Sequence, residues 1–364
     1  MKLTMLGTGR AVVTECYNTC FVLHEEERYF LVDGGGGIGL LSRLKSAGIE
    51  WNRIRDMFVT HRHMDHIMGI LWMIRMICQA SKRGEYEGEA RIYGHEEVIQ
   101  ILREVSCMLL AEKENRFIGK SVKLIPVKDR EEREIIGHRV CFFDIQSTKA
   151  KQFGFTMDLR ENDRLTCCGD EPYNDSEKEY VQGSRWLLHE AFCLARDTEC
   201  FHPYEKHHST VKDACEQAEK LGIRNLVLYH TEDTDMVNRK QRYTEEGKLY
   251  FSGNLYVPDD LETICLDTGD FDTDNLEKGE SNPDGIRTEE NREDDAAMGE
   301  KEQQRLEAFE KMLQNIQKEH DSIQRQMEDL KDKGKTKSAT YRQLMGRKMT
   351  YQSMISMYEV YGLL

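Results

Sequence analysis

The spacing of apolar and polar positions changes several times along the chain, and each change predicts an element. Leu3 and Met5 alternate with polar neighbours and stop at Gly7-Thr8-Gly9, which predicts an opening strand closed by a turn. Phe21-Val22-Leu23 and Tyr29-Phe30-Leu31-Val32 bracket the charged turn Glu25 to Arg28, a hairpin pattern. Its second strand ends at Asp33 and a glycine run, Gly34 to Gly37. Met57-Phe58-Val59 is a short apolar strand, and Ile67 to Ile77 predicts a buried helix. Ala214 to Leu221 predicts a helix stopped by Gly222; the strand Leu226 to Tyr229 then runs into His230. Strands and helices that alternate in this way predict an α/β or α+β fold with mixed sheets.

The pattern breaks at Asp267. Residues 267–300 hold thirteen Asp/Glu against three Lys/Arg and little apolar content, so an acidic, disordered linker is expected there. Beyond it, Leu306, Phe309, Leu313, Ile316, His320, Ile323, Met327 and Leu330 fall at steps of three and four, one stripe of a long helix. Lys333-Gly334-Lys335 interrupts the stripe, and a second one runs from Tyr341 to Tyr358. Residues 301–364 are expected to be an α-helical hairpin or coiled-coil module, available for packing, homo-oligomerisation or a protein partner. The division is therefore 1–266, 267–300 and 301–364.

Composition narrows the picture. The 364 residues carry a net charge of −15, and no segment is a basic footprint for nucleic acid. No apolar stretch approaches the roughly 20 residues needed to span a bilayer. The opening residues lack a charged leader followed by an apolar run, so neither a membrane span nor a signal peptide is expected. Eleven scattered cysteines, Cys167-Cys168 among them, fit reduced thiols in the cytoplasm.

The candidate chemistry sits at His61-Arg62-His63-Met64-Asp65-His66, just after the Met57 strand, where a loop is expected to splay the side chains into two adjacent metal sites. Imidazole and carboxylate are the ligands of zinc, manganese or iron. A binuclear site needs more ligands from elsewhere, and Asp170 and His230 are the candidates. The glycine run lacks the Lys-Ser/Thr that a phosphate loop requires, so the metal-site turn accounts for it better.

His61 to His66 resembles the HxHxDH signature of the metallo-β-lactamase fold, and further motifs resemble its ribonuclease Z-like branch. These are Leu6-Gly7-Thr8-Gly9, Val32-Asp33-Gly34-Gly35, His189-Glu190-Ala191-Phe192, His208-Ser209-Thr210 and Leu226-Val227-Leu228-Tyr229-His230. The resemblance covers residues 1–266 and implies a four-layer αβ/βα sandwich holding two divalent metal ions, zinc or manganese. It implies that His61 and His63 bind one ion, that Asp65, His66 and His230 bind the other, and that Asp170 bridges them. Asp65 would also take the proton of the attacking water, Glu190 and His208 would deliver a proton to the leaving oxygen, and Asp33 would orient a ligand histidine. The activity implied is phosphodiester hydrolysis by metal-activated hydroxide, on RNA, a nucleotide or a small molecule.

The chain departs from the family pattern at three points. Gln146 stands where the family has another metal histidine, which implies a weak first site. Gln146 and Asp170 lie too close in sequence to enclose the long arm with which ribonuclease Z grips tRNA. Phe192 replaces the family's threonine. Two rival readings stay open: an ester, lactone or thioester hydrolase of the same fold, and a catalytically weakened adaptor that works through its C-terminal helices.

Overall fold

Strand register explains how residues far apart in sequence reach one site. Six strands open the first sheet: Lys2–Gly7 (β1), Cys20–Glu25 (β2), Arg28–Val32 (β3), Asp56–Phe58 (β4), Ala90–Gly94 (β5) and Val122–Pro126 (β6). The second sheet follows as Glu131–Ile135 (β7), His138–Asp144 (β8), Phe153–Arg160 (β9), Asp163–Cys167 (β10), Trp186–Glu190 (β11), Asn225–Tyr229 (β12) and Asn254–Tyr256 (β13). Thr263–Cys265 (β14) then returns to pair antiparallel with β1 and completes the first sheet. The predicted hairpin is β2 with β3, antiparallel, Leu23 facing Phe30. Parallel pairing begins where the chemistry lies: β3 with β4, and β10 with β11 with β12.

This computed structural model describes residues 1–160, 163–266 and 317–331, with 333, 338, 340, 341, 344, 345, 348 and 351 as single positions. The two sheets pack face to face. Leu3, Phe21, Phe30 and Phe58 of the first share one buried cluster with Phe142, Phe155, Trp186 and Tyr229 of the second. Helices Gly39–Ser46 (α1), Met64–Arg83 (α2) and Glu96–Leu109 (α3) cover the outer face of the first sheet. Val211–Lys220 (α4) and Met236–Gly247 (α5) cover the second. The order helix, sheet, sheet, helix is the layering that the family resemblance implied. Among the described residues, no helix is long and apolar enough to cross a membrane.

The expected linker 267–300 lies outside the described residues, as does most of the C-terminal module. Residues 272–364 form a unit of their own. Within it, 317–331 are helical; on that helix Ile323 is buried, while His320, Met327 and Leu330 are half-buried. Of the second stripe, Tyr341, Leu344, Met345, Lys348 and Tyr351 are described as single positions, and the rest falls outside the described residues.

One expectation needs correction. The His61–His66 segment is only half loop: α2 starts at Met64, so Asp65 and His66 occupy its first turn and His63 is the capping position. An acidic residue in the first turn complements the positive end of the helix dipole. A helix can serve here because Asp65 and His66 are successive residues whose short side chains converge on the helix start.

Candidate metal centre

The ligand candidates stand at the carboxyl ends of parallel strands, where open α/β sheets place their sites. Asp33 follows β3, His61 follows β4, Asp170 follows β10, Glu190 ends β11 and His230 follows β12. The glycine run has a packing role that supports this. Gly34 lies against the backbone of Gly69 and Ile70 in α2, so that a β-carbon at either glycine would collide with the other segment. Gly34 N–H donates to the His66 carbonyl at 2.8 Å and Gly69 N–H to the Gly35 carbonyl at 3.1 Å. The close approach brings Asp33 within reach of His66.

Distances converge on Asp170. Its Oδ2 lies 3.6 Å from His61 Nε2, 3.4 Å from His66 Nε2 and 3.4 Å from His230 Nε2. Asp65 Oδ2 lies 3.3 Å from His66 Nε2 and 3.7 Å from His230 Nε2. His63 Nδ1 lies within hydrogen-bond distance of His61 Nε2, at 2.7 Å, which sets these two ring nitrogens side by side. The potential ligand atoms fall into two buried sets: His61, His66 and Asp170, and Asp65, His66 and His230. A third set, Glu190, His208 and His230, adjoins them.

Hydrogen bonds fix which nitrogen His66 and His61 present. Asp33 Oδ2 accepts from His66 Nδ1 at 2.7 Å and from the Thr60 hydroxyl at 2.9 Å, while Oδ1 accepts from Thr60 N–H at 2.9 Å. The Thr60 oxygen lies 3.0 Å from His61 Nδ1. Both rings are thereby held with Nε2 facing inward. Thr60 was not anticipated from sequence; its only signal is its place between the strand and His61.

Electrostatics follow burial and neighbours. Burial lowers the pKa of His61 and of His63. Burial also opposes charge on His66, yet Asp65 and Asp33 outweigh it and hold that ring well above the usual range. Burial would raise Asp170, but His61, His66 and His230 hold it well below the ordinary carboxyl range. Burial would raise Asp65 too, and His66 and His230 again win.

The donor set fits divalent cations. His66 Nε2 and both ring nitrogens of His230 are buried without a hydrogen-bond partner, as are Glu190 Oε2 and His208 Nδ1. Each such orphan costs about 1–3 kcal/mol unless something occupies the space between them. Asp33 and His230 also adopt left-handed backbone, at φ 58° and 57°, strain of the kind that concentrates at functional sites.

Glu190 and His208 are brought beside this centre. Glu190 is fully buried and accepts from Ser209 N–H, and its Oε2 lies 3.6 Å from His208 Nδ1. Phe192, where the family has threonine, stacks on the His208 ring at 4.9 Å and 13°. Gln146 is exposed and left-handed (φ 57°), with its N–H on Asp144 Oδ1 at 2.9 Å. It stands on the wall of a cavity of about 500 Å³ that also reaches His208. The eleven cysteines are all free, and Cys167 and Cys168 are buried.

Comparison with known proteins identifies the fold and the family. Ribonuclease Z of Bacteroides thetaiotaomicron is 24% identical over 323 residues, covering 74% of this chain and 98% of that protein. The metallo-β-lactamase fold protein YhfI of Bacillus subtilis superposes with a TM-score of 0.58 at 18% identity, over 72% of this chain and 98% of that one. Short-form human tRNase Z gives 0.54 at 20% identity, over 73% and 99%. The fold is thus the metallo-β-lactamase sandwich, of ribonuclease Z-like kind. The family model described as anti-Pycsar protein Apyc1 matches residues 1–252, and the chain belongs to that family.

Proposed function

We propose that this chain is a metal-dependent phosphodiesterase whose substrate is a nucleotide or another small phosphodiester. The observation that carries the reading is the convergence of His61, His66 and His230 on Asp170 Oδ2, all within 3.4–3.6 Å. His61, His63 and Asp170 would hold one divalent ion, and Asp65, His66, His230 and the shared Asp170 the other, zinc or manganese. When bound, such ions lower the pKa of water and neutralise charge that develops on phosphorus oxygens.

The remaining work falls to the chain itself. Asp65, held as a carboxylate between His66 and His230, orients the attacking water and takes its proton. Glu190 is fixed by Ser209 N–H and steadies His208, which donates a proton to the departing oxygen. An alkoxide leaving group gains most from such a donor, which favours substrates that expel an oxygen over the thioester rival. The Glu190–His208 pair also speaks against the weakened adaptor. Between Gln146 and Asp170 the described residues form β9 and β10, with Asp163 facing Arg160. That leaves no arm for folded tRNA, and a 500 Å³ cavity suits a group of nucleotide size. Residues 301–364 would act as a helical module for oligomerisation or a partner, and the protein would work in the cytoplasm.

The test is hydrolysis of bis(p-nitrophenyl) phosphate with Mn²⁺ or Zn²⁺ by the purified chain, with Asp65→Ala as control. Turnover lost in the variant supports the reading. Bound metal without turnover on any phosphodiester would reject it in favour of esters or thioesters.

A further inference from the structure

The cavity beside His208 has walls of amide, hydroxyl, phenol and imidazole groups plus one carboxylate, Glu171, with no lysine or arginine among its lining residues. His208 is one of its lining residues. A group whose oxygen receives the His208 proton must extend into this space, so the cavity receives the leaving group. We propose that it selects a leaving group that carries no phosphate of its own, and that Glu171 enforces this choice. The proposal rests on the phosphodiesterase reading above.

Glu171 is placed to do so. It is buried, 8% exposed, and its Oε1 accepts from the Ser147 hydroxyl at 2.6 Å, which fixes the carboxylate to the segment that carries Gln146. One neighbouring cation is engaged elsewhere: Lys206 donates to the Phe201 carbonyl at 2.7 Å and lies 5.3 Å from the Phe192 ring centre. A phosphate is held by arginine, lysine or converging N–H groups. Here it would meet a fixed negative charge instead, in a partly desolvated space where like charges a few ångströms apart cost on the order of tenfold in affinity or more. A neutral, hydroxyl-bearing group would find hydrogen-bonding partners in Glu171 and Gln146, and Tyr173 and Tyr204 also line the space, the Tyr204 phenol donating to Asp213 Oδ2 at 3.0 Å. Specificity thus combines attraction for an uncharged group with rejection of a charged one.

The experiment compares kcat/KM for a dinucleoside monophosphate with that for the same dinucleotide carrying a 5′- or a 3′-terminal phosphate, using the full chain and Mn²⁺. The unphosphorylated substrate should exceed, on the order of tenfold, the form whose phosphate lies on the leaving nucleoside. Glu171→Gln should shrink this ratio severalfold and Glu171→Lys should abolish or invert it. Because Glu171 adjoins Asp170, Thr148→Lys serves as a second variant: it adds a cation to the same wall away from the metal ligands and should also narrow the ratio. Equal kcat/KM for all three substrates in the wild type overturns the proposal, as does an unchanged ratio in Thr148→Lys. Cleavage of bis(p-nitrophenyl) phosphate without this selectivity removes the proposal alone. Absence of all phosphodiester cleavage removes the parent reading, and the proposal with it.

Discussion

Asp33→Asn is the sharpest probe of how the metal centre is organised, because one change of nearly equal shape reverses a chain of hydrogen bonds. In the native site Asp33 accepts from His66 Nδ1–H and from the Thr60 hydroxyl. The Thr60 oxygen is then free to accept from His61 Nδ1–H. Both imidazoles are therefore set to hold a proton on Nδ1 and to offer Nε2 when a metal binds. With asparagine, the amide oxygen can still serve Thr60 N–H, but the NH₂ group then faces His66 and the Thr60 hydroxyl. His66 must move its proton to Nε2, and Thr60, now an acceptor from the amide, turns its own proton toward His61 Nδ1. Both ligand nitrogens are then blocked. Restoring the right tautomers means leaving a buried donor unpaired, at about 1–3 kcal/mol. Outer hydrogen-bond partners of ligand histidines typically contribute ten- to hundredfold in metal affinity. Chelator-competition titration with Zn²⁺ and Mn²⁺ should thus show a Kd raised by roughly 10- to 100-fold, with circular dichroism unchanged. An Asp33→Asn protein that binds two ions per chain with wild-type affinity would refute this account of the site.

Other outcomes follow from the same geometry. His208→Ala should slow substrates with alkoxide leaving groups by roughly 10²–10⁴-fold while sparing p-nitrophenolate, and equal losses in kcat would argue against proton delivery. Gln146→His should tighten metal binding by about tenfold or more if residue 146 faces the first ion, and an unchanged Kd would remove it from the ligand set. Glu177, buried and hydrogen-bonded through Oε1 to Asn174, has its pKa raised by burial from 4.5 to about 8. Across that window the folded chain holds a proton that the unfolded chain has released, so its contribution to stability is lost as pH rises, by about 1.4 kcal/mol per pH unit. Glu177→Gln should flatten this slope in thermal melts between pH 5 and 8, and parallel curves for the two proteins would contradict a protonated Glu177.

Much of this centre was legible because its information is local. A strand followed by His61, His63, Asp65 and His66 is a contiguous signal, and so is the Leu226–Tyr229 strand that delivers His230. The hairpin of β2 and β3 was equally readable from two apolar runs around a charged turn. Other features are long-range and leave no such trace. Residue spacing gives no sign that α2 would begin inside the motif at Met64, since that depends on Gly34 and Gly69 allowing the strand end to pack against the helix. Phe192 stood out in sequence only as a departure, and its stacking on His208 emerges once β11 and the segment before α4 lie side by side. Arg239 gave no signal at all. Fully buried in α5, it donates to the hydroxyls of Thr8 at 2.9 Å and Thr231 at 2.8 Å and to the Pro258 carbonyl at 2.7 Å.

Arg239 also shows how the strained end of β12 is held. His230 carries left-handed backbone, which costs a non-glycine residue on the order of 1–3 kcal/mol and persists only where its surroundings over-determine it. Thr231, the next residue, is fixed from three sides: its hydroxyl by Arg239, its N–H by the Thr8 carbonyl at 3.0 Å, and its carbonyl by Arg10 N–H at 3.0 Å. Thr8 in turn is bound through its N–H and hydroxyl to Asp260, which also accepts from Tyr17 N–H. The turn after β1, the end of β12 and the segment before β14 are thereby locked into one polar unit behind His230. The strain and the unpartnered imidazole belong together: the fold spends hydrogen bonds behind the histidine so that its ring can face inward with both nitrogens free.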